Sequence, residues 1–241
     1  MMDRYIPALL EFNRKSGVRM LSPVAQTNMA IACMRLMEAQ FDELSDPKVV
    51  EEMDQKDVFS WLEGIFLFSV TWSVGAAIDT PGRDKFDPLL RELMDGSLSE
   101  ETKLKLNMIT KVDPPARSIY VPIPRTDSIY AWKFIREGLG RWERWTDQLK
   151  LAPPIPSNTT FSSIVVPTQD TVRYTHLMNI LTTHKIPTLF VGPTGTGKSV
   201  YINQFLVSKL DQDTYRPLVI NFSAQTTSQQ TQGNFSHPEN H

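Results

Sequence analysis

Gly192-Pro193-Thr194-Gly195-Thr196-Gly197-Lys198-Ser199 fits the spacing G-x-x-x-x-G-K-[ST] of a phosphate-binding loop. Glycines let the backbone turn sharply and direct successive N–H groups at phosphate oxygens. The loop then feeds a helix whose free amides and dipole favour an anion. In such a loop Lys198 reaches the β- and γ-phosphates, and the Ser199 hydroxyl sits on Mg²⁺. The flanks agree with this reading. Thr188-Leu189-Phe190-Val191 before the loop reads as a buried strand. Val200 to Val207 after it sets Ile202, Phe205 and Leu206 at helical spacing.

Downstream, Pro217-Leu218-Val219-Ile220-Asn221-Phe222 reads as one further strand. The acid that holds Mg²⁺ in a P-loop domain follows a later strand. After Ser199 the acids are Asp211, Asp213 and Glu239, and none ends an apolar run. The nucleotide-binding half of a site is therefore written out without the hydrolytic half, and no residue is assigned as catalytic. The expectation is of a chain cut short, with residues 233–241 forming a divergent polar tail.

Hydrophobic residues make up 41% of the chain, charged residues 22%, and the net charge is −2. That is a soluble globular balance with no basic patch, so neither nucleic acid nor membrane is expected as a partner. The single cysteine, Cys33, rules out an internal disulfide framework and reads as a buried apolar residue in a reducing compartment. Ile65 to Ile78 is the most apolar stretch. It is too short to span a bilayer and is interrupted by Ser69, Thr71 and Ser73, so a core helix is expected. The four histidines show no metal-ligand spacing.

Outward from the loop, the first half reads as helical. Tyr5 to Lys15 carries Ile6, Leu9, Leu10 and Phe12 on one period. Pro23 opens a run with Val24, Met29, Ile31, Met34, Leu36, Met37 and Phe41 as its apolar positions. Glu51, Glu52, Asp54 and Asp57 read as a solvated helix start leading into an apolar helix through Ala77. Asp79 to Asp84 reads as a turn, and Phe86 to Met94 as a short amphipathic helix with Arg91 and Glu92 outward. These make a helical subdomain over residues 1–112. Residues 113–160 read as a Pro/Trp-rich connector, in which Trp132, Trp142 and Trp145 pack rather than stack bases. Residues 161–232 hold an amphipathic helix from Thr171 to His184, capped by Thr168 or Asp170, and then the loop.

These residues resemble the dynein heavy chains, the axonemal ones in particular. The likeness is carried by Ile164-Val165-Val166-Pro167-Thr168-Gln169-Asp170-Thr171-Val172-Arg173-Tyr174, by the loop, and by Ile220 to Thr227. Upstream, Trp61 to Ser69 and Trp72-Ser73-Val74-Gly75 carry it. The resemblance covers residues 1 to about 232. It implies the end of the second AAA+ module followed by the start of the third. The implied fold is α/β plus α: a truncated P-loop parallel-sheet core preceded by a helical small subdomain.

The family consists of ATP-driven microtubule motors of cilia and flagella. The resemblance therefore implies ATP or ADP with Mg²⁺ on Gly192, Pro193, Thr194, Gly195, Thr196, Gly197, Lys198 and Ser199. Val166, Pro167 and Thr168 would line the adenine pocket. It further implies partnership with the remaining AAA+ modules and dynein subunits, contact with microtubules only through the full-length parent, and a place in cytoplasm, cytoskeleton and cilium axoneme. Two other readings compete with it. One is a non-enzymatic nucleotide-binding interaction fragment, such as a truncated splice product. The other is an unrelated small P-loop kinase or GTPase, which would need base-recognition or acceptor motifs after the loop.

Overall fold

The computed structural model describes residues 1–150, 166–223, 225–229 and 232. It divides between Thr196 and Gly197 into two compact units.

In the first unit, α1 (Met2–Lys15), α2 (Gln26–Glu38), α3 (Pro47–Glu52), α4 (Gln55–Ser73), α5 (Thr80–Asp95) and α6 (Glu100–Lys105) precede a hairpin. The hairpin, β1 (Trp132–Ile135) and β2 (Arg141–Arg144), is followed by α7 (Trp145–Leu149) and α8 (Gln169–Thr183). Helix α4 is the hub. Asp54 caps it by accepting from the Lys56 amide at 3.0 Å, with Asp57 in its first turn. Its buried residues run almost without break from Ser60 to Trp72, as a helix packed on all sides requires. Three of its hydroxyls are satisfied within the protein: Thr71 donates to the Leu67 carbonyl, Ser73 to that of Ser69, and Gln40 donates to Ser69 Oγ, while the buried Ser60 hydroxyl has no partner among the described residues. No helix among the described residues is long and apolar enough to cross a membrane. Cys33 is fully buried on α2, and burial pushes its thiol up to about 11.

Helix α4 stops at Ser73 rather than Ala77, because the chain turns at Gly75, whose amide reaches back to the Val70 carbonyl at 3.1 Å. The stretch from Asp79 to Asp84 is the first turn and a half of α5 and not a free turn. The Asp79 carboxylate accepts from the Gly82 amide at 2.9 Å, and Pro81 occupies an opening position where no amide is needed. Arg91 does not face outward. It pairs with Asp87 at 2.6 Å and donates to the carbonyls of Ile123 and Asp127, fastening the following loop. On α2, Ile31 and Met34 are exposed while Met29, Cys33 and Leu36 are buried.

The hydrophobic core continues past residue 112 through Ile123, Ile129, Tyr130, Trp132, Phe134 and Trp145 to Leu177 of α8. The hairpin pairs Phe134 with Trp142 directly across the strands, their rings 5.1 Å apart at 60°. Two glycines at positive φ, Gly138 and Gly140, turn the chain between the strands. Trp145 is wholly buried, against Phe68 and Trp72 of α4. A buried carboxylate, Glu63, takes the Tyr120 amide at 2.9 Å and the Arg117 guanidinium at 2.8 Å, which orders the proline-rich loop.

The second unit contains α9 (Lys198–Ser208), with Phe205 and Leu210 buried. The strands expected at Thr188–Val191 and Pro217–Phe222 are not strands here; the only sheet among the described residues is the antiparallel hairpin β1–β2. A strand exists only as a member of a ladder, and neither segment joins one. Leu189 is 79% exposed, and Val191, Val219 and Phe222 are exposed with it. The parallel-sheet part of the expected fold is therefore not among the described elements.

Candidate phosphate-binding loop

Gly192–Ser199 crosses the division between the units, so its two halves are described in turn. In the first, the backbone is left-handed at Gly195, with φ +81°. A Cβ there would meet nothing within 4 Å, so the demand for glycine is conformational and not steric. The Thr196 hydroxyl donates to the Pro193 carbonyl at 2.9 Å and closes the turn. In the second, Gly197 has φ +80° and stands as the cap residue of α9, which opens at Lys198. Its missing Cβ would lie 3.1 Å from the Tyr201 ring. No side chain caps α9, so the amides of its first turn are served by no side-chain oxygen of that cap. Lys198 is half-buried and Ser199 exposed. A left-handed glycine, as at Gly195 and again at Gly197, is the backbone conformation that a phosphate-binding loop requires.

Val166, Pro167 and Thr168 lie on the other side of α8 in the chain, and all three are exposed. Thr168 is the cap of α8: its hydroxyl accepts from the Thr171 amide at 3.2 Å while the Thr171 hydroxyl accepts from the Thr168 amide at 3.2 Å. Of the two caps the sequence allows, the structure uses Thr168. Ile164 and Val165 lie outside the described residues, as does the tail from residue 233.

Helix α8 is seated on the core by an aromatic cluster. The His176 ring meets Phe68 and Trp145 edge-on at 6.0 and 5.3 Å. Burial, reinforced by Lys133 and Arg136, pushes His176 down to about 4. Arg173 stacks over Trp72 at 5.5 Å and pairs with Asp170. In the second unit Asp211 closes a turn, accepting from the Asp213 amide at 3.0 Å and from the Thr214 hydroxyl, and the Thr214 and Asp213 bonds hold its carboxyl below the usual range. Among the described residues, no group of three His, Cys, Asp or Glu side chains could hold a metal.

A buried helical body followed by a glycine-left-handed loop and a helix start is the organisation of an AAA+ lid joined to a P-loop region. Residues 1–147 match the model of the dynein heavy chain AAA lid domain, and residues 153–238 match that of the P-loop containing dynein motor region. The chain belongs to the dynein heavy chain family. It is 37% identical over 218 residues to dynein axonemal heavy chain 3 of Mus musculus, covering 87% of this chain and 5% of that one. It is 38% identical over 175 residues to dynein axonemal heavy chain 12 of Rattus norvegicus, covering 70% and 5%. With the Dynein-1-alpha heavy chain, flagellar inner arm I1 complex, of Chlamydomonas reinhardtii it shares 32% over 213 residues, covering 86% and 4%. The chain thus spans about a twentieth of the length of the curated relatives it matches.

Proposed function

We propose that this chain is a nucleotide-binding piece of an axonemal dynein motor, formed by the end of the second AAA+ module and the start of the third. Its backbone from Gly195 to Ser199 cradles the phosphates of ATP or ADP. Lys198 neutralises the terminal phosphates, the Ser199 hydroxyl faces Mg²⁺, and Val166, Pro167 and Thr168 line the adenine. The observation that carries this reading is the pair of left-handed glycines, Gly195 and Gly197, placed directly before the first turn of α9.

Hydrolysis is not assigned to this chain, because Asp211 is committed to a turn and no acid ends an apolar run beyond Ser199. Movement along microtubules belongs to the full-length parent in the axoneme, acting with the other AAA+ modules and dynein subunits. Calorimetry with Mg-ATP, beside Lys198→Ala, tests the proposal. Micromolar binding lost in the variant supports it; a folded chain that binds no nucleotide defeats it. A second reading, an interaction fragment, draws on the exposed Leu189, Val191, Val219 and Phe222. It requires association with rising concentration, and sedimentation as a monomer throughout removes it.

A further inference from the structure

Of the groups around the His184 ring, the Ile180 carbonyl and the Asp42 carboxylate only accept, and the Thr183 hydroxyl, 3.2 Å from Nδ1, directs its own proton to the Asn179 carbonyl at 2.8 Å. Nδ1 lies 2.8 Å from the Ile180 carbonyl oxygen, and Nε2 lies 3.0 and 3.1 Å from the two carboxylate oxygens of Asp42. A neutral imidazole carries one N–H and must turn a lone pair towards the other acceptor. Only the imidazolium donates to both. Its charge also stands at the C-terminus of α8, where the helix dipole favours a cation.

The place of this contact gives it leverage. His184 is the cap of α8, and the turn beyond it is closed by the Lys185 amide on Thr182 at 3.0 Å and the Ile186 amide on Leu181 at 2.8 Å. From there the chain passes through Thr188–Val191 into Gly192. Asp42 lies 142 residues earlier, just past α2, at the start of the short turn Glu43–Ser45. The bond therefore fastens the exit of α8 to the helical body.

We propose that His184 and Asp42 form a proton-operated latch, closed on the imidazolium and released when the ring loses its proton. The charged groups around it come from each neighbouring element. Asp42 and Glu38 favour the closed form, Arg35 of α2 and Lys185 line the same groove and oppose it, and Arg136 is drawn off by Glu43 at 3.5 Å. The Asp42 hydrogen bond, then that of the Ile180 carbonyl, raises His184 above the ordinary histidine range, against a smaller effect of burial. The sign follows. A raised value means the latch is fully closed below the ordinary pKa of about 6.5 and is lost as pH climbs through the higher folded value. The latch operates whether or not the loop binds nucleotide.

Nuclear magnetic resonance on the full chain tests it, with the wild type beside Asp42→Asn and His184→Gln. The His184 ring is expected to titrate above the ordinary value in the wild type and to return to it in Asp42→Asn, while His176 stays unmoved as an internal reference. Exchange protection of the Lys185 and Ile186 amides, corrected for intrinsic rate, is expected to fall about two- to fivefold between pH 6 and 8.5 in the wild type. It is expected to be flat in both variants. Identical His184 titration in the wild type and Asp42→Asn, or a protection profile shared by all three proteins, would overturn the latch.

Discussion

The Tyr130 hydroxyl donates to the Gly75 carbonyl at 2.8 Å, and both groups are buried. This bond joins the end of α4 to the approach of the hairpin, two elements far apart in the chain. It also explains the glycine, since a Cβ on residue 75 would lie 2.7 Å from that hydroxyl and 2.7 Å from the Phe86 ring. Burial pushes the phenol well above its ordinary pKa, so it is a donor at every working pH. Tyr130→Phe leaves the carbonyl unpaired at nearly constant volume. The expected loss is about 1–3 kcal/mol in urea unfolding; an unchanged midpoint would mean that water replaces the hydroxyl.

Acid stability is expected to depend on Glu11. This carboxylate is 6% exposed and accepts from Lys15 at 2.7 Å, from the amides of Ile109 and Thr110 at 3.1 and 2.8 Å, and from the Thr110 hydroxyl. Burial alone would raise its pKa, but the Lys15, Thr110 and Ile109 bonds together outweigh it and bring the group to about 2. A depressed pKa stabilises above the unfolded value near 4.5 and fades as pH falls towards 2. The full shift corresponds to on the order of 3 kcal/mol. Melting from pH 6 to 2 should show a steep decline in the wild type and a shallower one in Glu11→Gln. Parallel curves would refute the assignment.

Gly64 sets the distance between α4 and the hairpin. A Cβ there would stand 2.4 Å from the Phe134 ring, which is itself buried. Alanine would gain about 1 kcal/mol of helix propensity. Overpacking of roughly 1–3 kcal/mol opposes it, with the ring held between α4 and Trp142. Gly64→Ala should therefore lower the melting temperature despite its better propensity, and Gly64→Ala with Phe134→Leu should recover part of the loss. A stabilised single variant would show that the ring yields freely.

The helices were legible because their signals are local. The spacing of Ile6, Leu9 and Phe12 marks α1, and Ile202, Phe205 and Leu206 mark α9. The conformation of the loop followed from its glycines. What escaped depends on distant partners. The alternation of Trp132-Lys133-Phe134-Ile135 and Arg141-Trp142-Glu143-Arg144 around Gly138 and Gly140 is a hairpin signal in hindsight, masked by the prolines before it. Residues Asp79 to Asp84 read as a turn because Pro and Gly stand there, although Pro81 serves equally well at a helix start. Arg91 reads as outward on a helical wheel and His184 only as the end of a helix, yet they are held by groups 32 and 142 residues away, for which periodicity carries no information. The parallel sheet is not among the described elements for the reverse reason, since apolar runs at Leu189 and Val219 specify strands only when neighbours pair with them.

The last test separates backbone conformation from bulk in the phosphate loop. Gly195 has φ +81° and open space where a Cβ would stand, so substitution there costs only strain. Asn tolerates the left-handed region, Ala carries about 1–2 kcal/mol of penalty, and a β-branched Val carries more. If bound phosphate requires this conformation, affinity for Mg-ATP should fall in the order Gly, Asn, Ala, Val, with Ala roughly 5- to 30-fold weaker than Gly. Gly197→Ala meets a second obstacle, the Tyr201 ring at 3.1 Å, and should be weaker than Gly195→Ala until Tyr201→Ala makes room. Calorimetry on this series, with melting temperatures as a check on folding, gives the order directly. Equal affinities for Asn, Ala and Val would show that the left-handed turn at Gly195 is incidental to binding.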